Sequence, residues 1–109
     1  MPAISIVLPT YNGEKYLDES IQSIIRQDFS DWELIIIDDC SSDSTPEIIK
    51  RWKERDSRIR SFRNSKNAKL PGSLNIGFSH ATGKYHTWTS DDNVFEHDAL
   101  QIMYDALES

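Results

Sequence analysis

Leu34-Ile35-Ile36-Ile37 runs straight into Asp38-Asp39. Four consecutive large aliphatic residues leave no polar face. Such a segment must be covered on both sides, which is the pattern of a parallel strand inside an α/β sheet. The acids that close it therefore stand where a buried strand gives way to a loop. A second pair, Asp91-Asp92, closes the run Tyr85-His86-Thr87-Trp88-Thr89-Ser90 in the same way. In open α/β sheets, ligands bind outside the carboxyl ends of the strands. Four carboxylates there point to a metal-assisted nucleotide or phosphate site.

The remaining chain fits the frame set by that strand. Ala3 to Pro9, with Ile4, Ile6, Val7 and Leu8, reads as a first buried strand. Thr10-Tyr11-Asn12-Gly13 reads as a turn, since Asn-Gly readily takes positive φ. A helix over 14–27 places Leu17, Ile21, Ile24 and Ile25 on one stripe. After the Trp32–Ile37 strand, Ser44-x-x-Glu47 has the spacing of a capping box, with Pro46 in the first turn. That helix runs to Arg55 and turns Ile48, Ile49 and Trp52 inward. Ile59 to Phe62 is a short strand and 64–69 a polar loop. A helix opening at Leu70 or Pro71 ends near Ala81, with Gly83 as its stop. Lys84 to Thr89 is the fourth strand. A last helix, 96–107, aligns Leu100, Met103, Tyr104 and Leu107. The order βαβαβαβα predicts one domain with a mostly parallel, Rossmann-like sheet.

The 109 residues suffice for one small domain, and 38% hydrophobic against 28% charged residues fits a globular core. A net charge of −6 argues against nucleic acid as a partner. It also means that an anionic nucleotide needs a bound metal or local cations. The lone Cys40 fits a reducing cytoplasm and reads as a small loop residue, because no His or basic neighbour activates it. No apolar stretch approaches the roughly 18 residues of a spanning helix.

The chemistry rests on the two acidic pairs. Hard divalent cations such as Mg²⁺ take carboxylate and phosphate oxygens, a role that suits Asp91 and Asp92. The structural alternative is a solvated turn, or acids favoured by the dipole of the last helix. Asp38 and Asp39 can accept from the N–H of a base or from ribose hydroxyls, or else serve only as turn acids. Neither G-x-G-x-x-G nor G-x-x-x-x-G-K-[ST] is present. A diphosphate would then rely on metal and on a cation such as Lys69, which is otherwise a plain surface lysine. His80, His86 and His97 are scattered and read as structural.

The motifs taken together resemble a known family. Ile4-Ser5-Ile6-Val7-Leu8-Pro9-Thr10-Tyr11-Asn12 is similar to the opening of the family 2 inverting glycosyltransferases. Leu17 through Gln27 resembles their first helix. Trp32 through Thr45 resembles their E-I-I-V-V-D-D-x-S-x-D-x-T signature, and Ala81-Thr82-Gly83-Lys84-Tyr85 the A-x-G-x-Y before their metal motif. The resemblance covers nearly the whole chain.

It implies the GT-A fold and a nucleotide-diphospho-sugar donor, usually a UDP- or dTDP-sugar. It places Pro9, Thr10 and Tyr11 in the nucleoside pocket, Asp39 on the uracil or thymine edge, and Asp38 beside it, supporting the loop or the base. Lys69 falls where members set a basic residue against the nucleotide. Asp91 and Asp92 match the DxD-type site for ribose and the Mn²⁺ or Mg²⁺ that bridges the diphosphate. Many members read D-A-D-D there. This chain reads Thr89-Ser90-Asp91-Asp92, without the first acid, and Asp92 is the favoured direct ligand.

The resemblance further implies polysaccharide or cell-envelope biosynthesis, at the cytoplasmic face of the membrane in the parent protein. The acceptor, a saccharide or a lipid-linked one, and the catalytic base are expected to belong to a part beyond residue 109. Apolar surface meant for that part would favour a homodimer. Two other readings compete. A receiver-like module needs an acceptor Asp after a third strand and a Lys after a fifth, neither of which is found. A nucleotidyltransferase needs a Gly-rich basic signature after the first strand, and Thr10-Tyr11-Asn12-Gly13 is not one.

Overall fold

A computed structural model describes residues 2–109 of the chain. Four strands alternate with four helices: β1 (Ile4–Thr10), α1 (Leu17–Ile25), β2 (Trp32–Asp38), α2 (Thr45–Arg55), β3 (Ile59–Arg63), α3 (Lys69–Ser79), β4 (Tyr85–Trp88) and α4 (Ala99–Glu108). All pairings are parallel, in the order β3-β2-β1-β4. The chain builds outward from β1 to β3, then returns to lay β4 on the other side of β1. That reversal is a topological switch point, where open α/β sheets form their binding crevice. A receiver-like order would instead place β3 beside β1, so the topology removes that alternative. No described helix is long and apolar enough to cross a membrane.

Both faces of β2 are buried, as its unbroken apolar run requires. Leu34 and Ile36 join Ile4, Ile6 and Leu8 of β1 against Leu17, Ile21 and Ile24 of α1, Ile48 and Ile49 of α2, and Leu100 of α4. Val7, Ile35 and Ile37 face the other way, against Leu74, Ile76 and Phe78 of α3. Each fully buried aliphatic side chain contributes about 1.5–3 kcal/mol of transfer free energy. The contact with α3 is close enough that a Cβ on Gly77 would collide with the side chain of Val7.

Three local expectations give way to tertiary contacts. The Ser44–Glu47 capping box does not form, and Ser44 makes no side-chain cap bond. The N–H of Thr45 is instead taken by Asp43 Oδ1 at 2.9 Å, and the N–H of Ser44 by Glu14 Oε2 at 3.0 Å. Gly83 is not a left-handed helix stop, because no glycine here has positive φ. A Cβ on it would lie 2.7 Å from Ser5 Oγ and 2.9 Å from Ser5 N, so this glycine lets the chain pass against β1. The last helix starts at Ala99 rather than at 96. Gln27 intervenes there, donating to Glu96 O at 2.6 Å and accepting from Leu100 N at 2.9 Å.

One carboxylate is buried near the amino end of the sheet. Glu33 accepts from Ser5 Oγ (2.5 Å), Thr82 N (2.7 Å), Thr82 Oγ1 (2.9 Å) and Arg60 Nη2 (2.8 Å). Burial alone would push its pKa up. The donors from Ser5, Thr82 and Arg60 outweigh burial and hold it below the ordinary glutamate value.

Candidate functional site

A cavity of about 350 Å³ opens at the carboxyl ends of the strands, on the β1–β4 side of the switch point. Pro9 and Thr10 bring the end of β1 to it, Asp39 the end of β2, and Trp88 the end of β4. Tyr11, Ser90 and Asp91 come from the loops that follow, and Lys69, Leu70 and Ser73 from the first turns of α3.

The loops are fixed before any ligand arrives. Asn12 takes φ 51°, so it is the asparagine of Asn-Gly that enters the left-handed region. Its N–H donates to Ser41 Oγ at 2.9 Å, and its Oδ1 accepts from Ser42 N at 2.8 Å. Gly13 N donates to Thr45 Oγ1 at 2.9 Å. The turn after β1 is thereby stitched to the acidic loop after β2. The turn after β4 closes on itself through Asn93 N to Ser90 O (3.2 Å) and Asn93 Nδ2 to Thr89 Oγ1 (3.0 Å).

The first acidic pair divides, because successive residues leaving a strand face opposite sides. Asp39 is buried on the cavity side. Its Oδ1 accepts from Asn64 Nδ2 (2.9 Å) and Ala68 N (2.6 Å), and its Oδ2 from Lys69 N (3.1 Å). It therefore shapes the 64–69 loop and keeps acceptor capacity on Oδ2. Asp38 does not line the cavity. Its carboxylate is taken by Arg63 Nη1 and by Ser41 N at 3.0 Å, and Arg63 also donates to Ser41 O at 2.8 Å. Of the two roles expected for Asp38, support of the loop is the one these contacts make.

The second pair divides too. Asp91 lines the cavity and accepts from Thr10 Oγ1 at 2.7 Å through Oδ2. Asp92 is exposed, outside the cavity wall, and accepts from Ser90 Oγ at 2.7 Å. Among the described residues, no three His, Cys, Asp or Glu side chains form a metal cage. One or two carboxylates that leave other positions to phosphate and water suit Mg²⁺ or Mn²⁺, which are commonly held that way. The donor set thus fits such an ion when a diphosphate completes it.

Lys69 stands at the mouth with φ 64°, its N–H shared between Asp39 Oδ2 and Asn67 Oδ1. Tyr11 and Trp88 are 54% and 45% exposed, so two aromatic rings are left uncovered beside the acids. Trp88, Leu70, Ser73 and Ser90 were not legible as site residues from the acid pattern. Nothing in Tyr85-His86-Thr87-Trp88 singles out the last residue, which comes to stand beside Val7 only through the strand order. His80 stacks on Phe62 at 3.7 Å between centroids, and His97 pairs with Asp28 at 2.9 Å, both away from the cavity.

A Haemophilus influenzae protein described as an uncharacterized glycosyltransferase is 39% identical over 101 residues, 93% of this chain and 40% of that protein. The GalNAc(5)-diNAcBac-PP-undecaprenol beta-1,3-glucosyltransferase of Campylobacter jejuni is 36% identical over 104 residues, 94% of this chain and 34% of that protein. The chain thus spans less than half the length of these curated relatives. Among solved structures, S. aureus TarS 1-349 in complex with UDP superimposes with a TM-score of 0.90 at 27% identity, over 97% of this chain and 32% of that one. The mannosyltransferase PcManGT from Pyrobaculum calidifontis, in complex with GDP-Man and Mn²⁺, gives 0.87 at 26% identity, over 98% of this chain and 32% of that one. The fold is that of GT-A glycosyltransferases. The model described as Glycosyl transferase family 2 matches residues 5–109, and the chain belongs to that family.

Proposed function

We propose that this chain is the donor-binding part of a glycosyltransferase, holding a UDP- or dTDP-sugar with Mn²⁺ or Mg²⁺ for transfer, with inversion, to an acceptor hydroxyl. The observation that carries the reading is the placement of Asp39 and Asp91 in one cavity at the switch point. Asp39 Oδ2 accepts the imide N–H of the base. Tyr11 and Trp88 offer faces to the planar base and the ribose, and Pro9 closes the floor of the nucleoside end. Lys69 sets a positive charge at the mouth, where the net charge of −6 would otherwise oppose an anion. Asp91, which lines the cavity, would hold a divalent cation directly, in place of the Asp92 that the sequence favours, with Asp92 one residue on beside it. Held there, the ion would supply positive charge against the charge developing on a departing diphosphate.

The proton of the acceptor hydroxyl must go to a base. Asp39 and Asp91 are committed to donor and cation, so the base is assigned to a part of the enzyme outside these residues. A saccharide acceptor, lipid-linked or free, is supported by the undecaprenol-linked substrate in the name of the C. jejuni relative.

Calorimetry with UDP, dTDP and GDP, with and without Mn²⁺, tests the reading. UDP and dTDP should bind more tightly than GDP, and Mn²⁺ should strengthen binding. Asp39→Asn should narrow the difference between the bases. Absence of binding for all three nucleotides in both conditions would overturn the proposal.

A further inference from the structure

We infer that Thr10 is a positioning residue that couples the base end of the cavity to its cation end. This rests on the donor-site reading above and assigns Thr10 a task other than touching the nucleoside. Thr10 is the last residue of β1 and is 3% exposed. Its backbone carbonyl accepts from Asp39 N at 2.8 Å. Its hydroxyl donates to Asp91 Oδ2 at 2.7 Å. One buried residue thus bonds to a member of each acidic pair, although Thr10 and Asp91 lie 81 residues apart in the chain.

The two bonds have different consequences. The bond to Asp39 uses the backbone, so it persists whatever side chain stands at position 10. The bond to Asp91 uses the hydroxyl alone. A β-branched side chain has few χ1 choices, and burial leaves Thr10 fewer still. Its donor is therefore aimed before any ligand arrives. The turn that carries Asp91 is held independently by Asn93, and by Ser20 Oγ donating to Ser90 O at 3.2 Å. What Thr10 adds is the orientation of the Asp91 carboxylate. One lone pair of Oδ2 is engaged and the remaining acceptor positions are presented to the cavity.

Gly13 supports the same assignment. A Cβ on Gly13 would fall against Thr10 Oγ1 and 2.5 Å from Asp91 Oδ2. Gly13 does not take positive φ. Its missing side chain is needed for space, and the space it leaves holds the Thr10–Asp91 bond.

The test compares Thr10→Val, Thr10→Ser and Gly13→Ala with the unaltered chain, titrating UDP with and without Mn²⁺ by calorimetry. Circular dichroism melts confirm that each variant is folded. Thr10→Val keeps the shape and removes the donor. It should weaken Mn²⁺-assisted UDP binding by about tenfold, the worth of one hydrogen bond to a charged group. Metal-free UDP binding should fall by less, so that the gain from Mn²⁺ shrinks. Thr10→Ser should recover most of the loss, and Gly13→Ala should reproduce it. Equal losses with and without Mn²⁺ in Thr10→Val would overturn the inference, because Thr10 would then only support the pocket. So would Mn²⁺-assisted binding equal to that of the unaltered chain. If the unaltered chain binds none of UDP, dTDP and GDP in either condition, the donor-site reading falls and this inference falls with it.

Discussion

Two carboxylates stand at opposite ends of the sheet and are treated oppositely. Glu33, near the amino end, is buried and accepts four hydrogen bonds from Ser5, Thr82 and Arg60. Asp91, beyond the carboxyl end, lines a cavity and accepts one, from Thr10. A carboxylate has about four lone-pair positions. Glu33 accepts four bonds from protein, three of them on Oε2, whereas Asp91 has most of its capacity left. The number of acids in a region therefore says little about function. Unspent acceptor capacity facing a cavity separates an acid that can hold a ligand from one that holds the fold.

The comparison can be broken most directly at Glu33. Glu33→Ala removes the acceptor of the Thr82 N–H and the Ser5 hydroxyl, while Arg60, 39% exposed, keeps its bond to His80 O. Buried donors left without an acceptor cost about 1–3 kcal/mol. Urea denaturation should show a loss of that size, and a loss below about 1 kcal/mol would place Glu33 outside the structural class. The sign of the pH dependence follows from its lowered pKa. Its contribution is fully present above the ordinary glutamate range. It is lost as pH falls through the lowered native value. Glu33→Gln should flatten that acid limb of the stability profile.

Asp91→Asn should show the opposite signature. Mn²⁺-assisted nucleotide binding should fall by about a hundredfold, the upper range for altered metal surroundings. The urea midpoint should barely move, since one partly exposed bond is lost. A large stability loss without a binding loss would reverse the assignment. The smallest effect sharpens the contrast within the amino-end network. Thr82→Val removes one hydroxyl donor and keeps the backbone bond to Glu33, so it should cost about 1 kcal/mol. Denaturation by urea reads this as well.

The elements themselves were legible because their periods are local. The unbroken run Leu34–Ile37 required two covered faces, and both cores confirm it. The stripe Leu17, Ile21, Ile24 also faces the core as its spacing requires. What the sequence left unread depends on neighbours far along the chain. Nothing in Asp38-Asp39 says that Arg63 will claim the first acid and the 64–69 loop the second. Gly13 and Gly83 looked like turn residues, whereas each makes room for a side chain or backbone about 80 positions away. The capping box had the right spacing, but Glu14 takes the Ser44 N–H that Glu47 would have accepted, and the Glu47 N–H goes to Ser44 O. Trp88 was hidden because only strand order places its ring beside the end of β1.

The strand order also bears on how the molecule assembles. The bond from Ser5 to Glu33 joins β1 to β2 across 28 residues, whereas that from Thr10 to Asp91 spans 81. Distant pairings cost more loop-closure entropy and are slow to form. Pairing of β1, β2 and β3 is therefore favoured before β4 joins. The cavity lies at the carboxyl ends of β1 and β4, so among these four strands it is completed only when β4 pairs with β1. Nucleotide binding at that cavity would then report that β4 is in place.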